Sequence, residues 1–295
     1  MTLSTTGLAA LPFPQNLRFD GALPGLTAPR LAERRDTWAL SLRRSLGLRA
    51  SVHAVLVDSN GAWAWNPSNA HSAATRYASV QDWINRHPGC DLRLWVSGQL
   101  VQSLAREHAA GEQDEKALRS IAKREFIAHH GDAAARWPLA TWRNAAALGV
   151  CALAGVDLPA LNEHAAKHAV RMQSVVPWWY HAFQEARRCV SALGQVEAAH
   201  VCVVEGQQIA WISTARGLLV EVQQTLLASA HIDALRAELT RWTFATPASA
   251  LKPVVLGQGL QNGSRTGDLD ALVLGRLDGD QPPQWLRPSF TTDMH

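Results

Sequence analysis

The chain has few charges, two tyrosines and no cysteine arrangement of the kind that holds a metal or staples a fold. Charged residues make up 18% of its 295 positions, below the roughly 25% of ordinary soluble domains. With Lys+Arg 28 against Asp+Glu 25, the formal net charge is +3, too small to bind a phosphate backbone by charge alone. The four cysteines, Cys90, Cys151, Cys189 and Cys202, form no CxxC pair, so reduced and mostly buried thiols are expected. A Gly-x4-Gly-Lys-Ser/Thr loop is missing, which argues against P-loop hydrolysis. Gly-x-Ser-x-Gly and His-Glu-x-x-His are missing too, so no local motif places a nucleophile or a zinc ion; a Ser/His/Asp triad from distant segments stays open. The longest uncharged apolar run, Ala145 to Val156, is short of the ~20 residues that span a bilayer. The first basic residue is Arg18, so the opening residues do not read as a secretory signal, and a cytoplasmic protein is expected.

Tryptophan is plentiful, with twelve residues, so large amphipathic rings are packed or docked somewhere. Residues 1–49 read as an extended, Pro-rich arm followed by a basic amphipathic helix, Pro29 to Leu46. From Ser51 the pattern changes to a β-hairpin: a strand through Val52 and Leu56, a turn at Asp58-Ser-Asn-Gly61, and a return through Ala62-Trp-Ala-Trp65. A helix at Val80 to His87, a strand at Asp91 to Ser97, a helix at Glu112 to His130 and a short strand at Leu139 to Trp142 follow. Ala145–Cys151, Leu158–Val170 and Gln173–Val176 outline a strand–helix–strand crossover. Pro177 opens a helix whose stripe of Trp179, Phe183, Ala186, Val190 and Leu193 places the Trp178-Trp179-Tyr180 cluster in the core.

A second hairpin, His200 to Ile212 around Glu205-Gly206, resembles the first in layout. Two helices are predicted next, Leu219–Ser229 and Ile232–Trp242. A strand at Lys252–Leu256 then enters Gly257-Gln-Gly259, and Leu269–Leu277 supplies a last strand. The organisation expected is an arm and helix over 1–49, lobes over 50–190 and 191–281, and a tail over 282–295.

Two lobes that each begin with a hairpin, and a late strand ending in Gly-x-Gly, resemble the actin-like ATPase superfamily. Within it the chain is similar to the cytoplasmic PilM-like and GspL-like assembly proteins of type IV pili and type II secretion. The similarity is carried by Ala146 to Leu161 continuing to Ser174-Val-Val-Pro177, and by Arg119–His130 followed by Trp137-Pro138. It implies an α/β, two-lobed actin-like (RNase H-like) fold with mixed sheets flanked by helices. It also implies a nucleotide site at Asp58, Asn60, Gly61, Glu205, Gly206, Gly257 and Gly259. The turns depart from the superfamily pattern: the first reads Asp-Ser-Asn-Gly, and the second has Glu205-Gly206 followed by Gln207-Gln208 where small hydroxyl residues suit a phosphate. The site is therefore expected to be degenerate. No cofactor is required on this reading, and Mg-ATP is the one the resemblance leaves open.

The implied role is a cytoplasmic scaffold, peripheral at the inner membrane through a partner. An inner-membrane protein tail would dock in a groove of the first lobe, with an assembly ATPase nearby and no nucleic acid; self-association is left open. Trp63, Trp65 and Trp95 are candidate partner contacts if they face outward, with core packing as the alternative. The competing function is a kinase-like enzyme of the same superfamily using Asp58 and the Gly257 loop. A third is a DNA-associated protein using the basic arm. No catalytic residue and no metal ligand is assigned: His164 and His168 have i, i+4 spacing, but nothing local completes a metal site.

Overall fold

Alternating apolar residues from Val52 put a strand, β1 (Val52–Asp58), against the returning β2 (Gly61–Ala64), with Asp58 opposite Gly61. The computed structural model describes residues 51–65, 74–107, 115–143, 147–245, 249–261, 267 and 269–279. The arm and helix expected over 1–49 and the tail over 282–295 lie outside the described residues. β3 (Thr75–Tyr77) adds antiparallel to β2. α1 (Val80–Arg86) starts where the Ser79 hydroxyl accepts from the Asp82 amide at 3.1 Å, a side-chain cap. β4 (Asp91–Val96) then lies parallel to β1 on its other side.

The chain next leaves this sheet. β5 (Val101–Glu107), α2 (Glu115–His130), β6 (Leu139–Arg143) and β7 (Ala147–Leu153) build a separate antiparallel sheet of order β5-β7-β6. It returns through α3 (Leu158–Lys167) to β8 (Arg171–Pro177), which pairs in parallel with β4. The expected crossover is thus corrected: β7 and β8 belong to different sheets. The partner that claims β7 is β5, whose mixed Val-Gln-Ser-Leu-Ala-Arg-Glu sequence shows no strand alternation. β7 is buried on both faces: Ala147, Cys151 and Leu153 join the main core, while Leu148, Val150 and Ala152 join a second one under α2. Such double burial gives an unbroken apolar run instead of alternation.

α4 (Trp178–Cys189) leads to β9 (Ala198–Glu205), β10 (Gln208–Ala215), β11 (Leu218–Leu226), α5 (Ile232–Ala245), β12 (Val254–Gln258) and β13 (Leu272–Leu274). The helix predicted at Leu219–Ser229 is β11 and the loop after it. Val220 is an extra residue opposite the Ser213/Thr214 step, so the buried Leu219 and Val222 face the same way although three apart. A bulge of this kind produces a helix-like spacing in a strand.

The two large sheets have the same plan. The first runs β3-β2-β1-β4-β8 and the second β11-β10-β9-β12-β13. In each, the first three strands in chain order meander antiparallel and two later ones add in parallel beside the first. α4 packs against both: it meets β4 and β8 on one side and β9 and β12 on the other. Trp178, Trp179, Ala182, Phe183 and Ala186 are buried there, so one core contains residues of both lobes. Successive residues of β9 split between two cores, Ala199, Val201 and Val203 toward the shared one, Cys202 and Val204 toward α5.

Candidate functional site

The two hairpin turns and the end of β12 are brought to one junction between the lobes. Asp58, at the end of β1, accepts from the Asn60 amide through Oδ1 at 2.7 Å and from Trp63 Nε1 through Oδ2 at 3.0 Å. Its carboxylate is thus held by its own hairpin. Gly61 is where β3 crosses closely: a Cβ there would lie 2.5 Å from the Tyr77 carbonyl oxygen. In the second lobe the Gly206 amide donates to the Gln258 carbonyl at 2.9 Å, and the Gly259 amide to the Gly279 carbonyl at 2.9 Å. Gly257 has φ +140, and a Cβ on it would fall 2.0 Å from the Val204 carbonyl oxygen. This glycine is required by strand approach, independently of any ligand.

Glu205 is the centre of the junction. It is 5% exposed at the end of β9, and it reaches across to the first lobe. Ser97 Oγ donates to Oε2, and the Gly98 amide donates to Oε1 at 2.8 Å. A Cβ at Gly98 would lie 2.8 Å from Oε1, so only glycine admits the carboxylate this closely. Burial pushes the Glu205 carboxyl up to about 7; the bonds from Ser97 and Gly98 pull the other way, and the Asp58 charge adds to the rise. Gln99 Nε2 donates to the Glu205 carbonyl at 3.5 Å, and the Ser59 hydroxyl donates to Gln99 Oε1 at 2.5 Å. Gln224 Nε2 on β11 bonds the carbonyls of Gly98 at 3.1 Å and Val101 at 2.9 Å. The turns are therefore linked to one another through protein groups.

The same strand plan in both lobes, with the two hairpin turns facing across the junction, decides the architecture. The fold is actin-like. The sequence matches no protein-family profile, and comparison with curated proteins returns no match. Among solved structures, the chain is similar to a Bacteroides thetaiotaomicron VPI-5482 protein of actin-like ATPase fold and unknown function. Identity is 10% and TM-score 0.44, covering 72% of this chain and 83% of that one. It is similar to the PilM–PilN type IV pilus biogenesis complex at 10% identity and TM-score 0.49, covering 76% and 88%. It is also similar to the cytoplasmic domain of EpsL, an inner membrane component of the type II secretion system of Vibrio cholerae. There, identity is 9% and TM-score 0.45, covering 80% and 92%.

Holding a phosphate in an actin-like fold needs free backbone N–H groups at these turns. Those of Asn60, Gly98, Gly206 and Gly259 already donate within the protein, and the Glu205 carboxylate adds an acidic group to the same place. These four amides therefore have no free proton to offer a phosphate. Among the described residues there is no group of three or more His, Cys, Asp or Glu placed to hold a metal ion. His164 Nε2 donates to Asn85 Oδ1 at 2.8 Å, and its ring lies 4.8 Å from that of His168.

Trp63, Trp65 and Trp95 do not face outward. They are 6%, 1% and 6% exposed. Trp63 is tied to Asp58 and covered by Arg76, Trp65 meets Trp95 edge-on at 5.6 Å, and Trp95 stacks on His181 at 4.1 Å. Of the two placements left open for them, core packing is the one observed: the three indoles close the core of the first sheet.

The sequence reading missed Ser97, Gly98, Gln99 and Gln224, which complete the junction. The signal available was a parallel strand ending in Ser-Gly. Elsewhere in the first lobe, an open groove of about 530 Å³ runs along Trp137, Pro138, Val156 and Pro159, with Arg136 and Asp157 also lining it. The four cysteines are free, and Cys189 alone is exposed among them. No helix among the described residues is long and apolar enough to cross a membrane.

Proposed function

We propose that this chain is a scaffold of a type IV pilus-like or type II secretion-like machine that works without nucleotide chemistry. One observation supports the reading: Glu205, on the turn that the resemblance assigns to phosphates, is buried and bonded to Ser97 and Gly98 instead. With the turns closed on each other, function moves to surfaces. The groove beside Trp137 is open and lined by Trp137, Pro138, Val156 and Pro159, an apolar floor on which an extended protein tail can lie, with Arg136 and Asp157 to set its direction. The resemblance of residues 119–177 to PilM-like and GspL-like proteins supports an inner-membrane assembly protein as the source of that tail. An assembly ATPase is the neighbour this reading assigns, and the cytoplasmic face of the inner membrane the location.

Two measurements test it together. Thermal unfolding with millimolar Mg-ATP or Mg-ADP is expected to leave Tm unchanged. A nucleotide at 100-fold its Kd would add about 2.7 kcal/mol, or several degrees for a chain this size, and such a shift would favour the kinase-like enzyme. Affinity purification from native membranes is expected to recover an inner-membrane assembly protein, and Trp137→Ala to lose it. Equal recovery with Trp137→Ala would remove the groove from the proposal, and a preparation without any assembly component would remove the scaffold role.

A further inference from the structure

The junction contains an acid with no base to match it. Glu205 joins the lobes through two hydrogen bonds, from Ser97 Oγ and from the Gly98 amide. The charged group that acts on it is Asp58, from the end of β1, and it is also acidic. The other elements packed around it present amides: Gln99 beyond β4, Gln208 and Gln224 from β10 and β11, and Gln258 opposite it on β12. An ionised carboxylate in such a place has lost its water and gained no cation, which is the costly state of a buried charge.

The neutral acid fits the same geometry. Oε1 keeps the Gly98 N–H, and the acid proton on Oε2 donates to Ser97 Oγ, since a hydroxyl serves as donor or acceptor. We propose that Glu205 is a proton-operated latch between the lobes: protonated, it holds them together through Ser97 and Gly98, and ionised, it releases them to bring water to its carboxylate. The bonds from Gln224 to the Gly98 and Val101 carbonyls do not depend on charge and mark where the lobes stay attached. The latch rests on the same Glu205 contacts as the scaffold reading, but amide exchange at Gly98 reads neither nucleotide binding nor capture of a partner tail, so the two can fail separately.

The folded-state carboxyl titrates at about 7, against 4.5 for a free one. Because it is raised, the latched state is favoured by protons: its contribution is complete below about 4.5 and is lost as pH rises through about 7. With those two values, the opening equilibrium rises about 30-fold between roughly pH 5.5 and 8.5. The direct probe is the Gly98 amide hydrogen, followed by NMR-detected exchange and corrected for the intrinsic pH dependence of exchange. Wild type is expected to show the rise, and Glu205→Gln to stay protected throughout, because the amide reproduces the neutral acid. Constant wild-type protection, or the same rise in Glu205→Gln, would overturn the latch. If that variant does not fold, Asp58→Asn decides: removing the neighbouring charge moves the midpoint to lower pH, and an unmoved midpoint overturns the proposal.

Discussion

At the residue scale, Gly257 shows how strand packing alone can require the glycine of a Gly-x-Gly turn. Gly257 combines φ +140 with a Cβ position 2.0 Å from the Val204 carbonyl oxygen and 2.7 Å from its amide nitrogen. Both neighbours are backbone and cannot rotate away. Gly257→Ala is therefore expected to cost roughly 3 kcal/mol or more, from backbone strain plus displacement of β9. Gly131 is a control, with φ +76 and nothing within 4 Å of its Cβ position. With ψ −172, Gly131 is in an extended positive-φ conformation that is essentially glycine's alone, and Gly131→Ala should cost about 1–3 kcal/mol, from backbone strain without a clash. Urea unfolding of both variants separates the two effects; equal losses would show that strand contact at Gly257 contributes nothing. Indole burial follows the same logic of contact: Trp142 lies over Gly149 on β7, where a Cβ would come within 2.2 Å of the ring.

At the element scale, α3 shows how a sequence signal becomes a measurable stability. Asp157 Oδ1 accepts from the Ala160 amide at 3.0 Å, and Pro159 occupies the first turn, where no N–H is missed. Leu158, Leu161 and Ala165 bury the inner face. Asp157→Ala leaves that face intact and removes the cap, at an expected cost of about 1 kcal/mol, read as a lower urea midpoint with an unchanged slope. A loss near zero would mean that another group caps the helix. Elements of this type were legible from sequence, as were both hairpins, because their signals are local: a capping residue, a Gly turn, a stripe. β3, β5 and β11 were not. β3 has three residues, β5 lacks alternation, and the bulge at Val220 gives β11 the spacing of a helix. The junction was half legible for the same reason. Asp58, Glu205 and the Gly257 loop stand out as turns, whereas the bonds that Ser97 and Gln224 make across it join residues more than a hundred positions apart.

At the scale of the whole molecule, α4 makes the two lobes one thermodynamic unit. Its buried Phe183 is 2% exposed in the core shared by both large sheets. Phe183→Ala is expected to cost about 3–5 kcal/mol and to lower a single calorimetric transition for the whole chain. Two separated transitions, with one unmoved, would show that the lobes are stabilised independently.

The insertion of the three-stranded sheet has a consequence for biogenesis. β4 pairs with β8 from Asp91↔Arg171 onward, so the strand that completes the first large sheet is made about eighty residues after the strand it covers. A growing chain therefore presents the apolar edge of β4, Leu92 and Leu94 included, until β5, β6, β7 and α3 have been synthesised. At ordinary rates of 5–20 residues per second, that exposure lasts on the order of 4–16 s. The insertion thus sets an interval in which that edge is open to pairing with another copy.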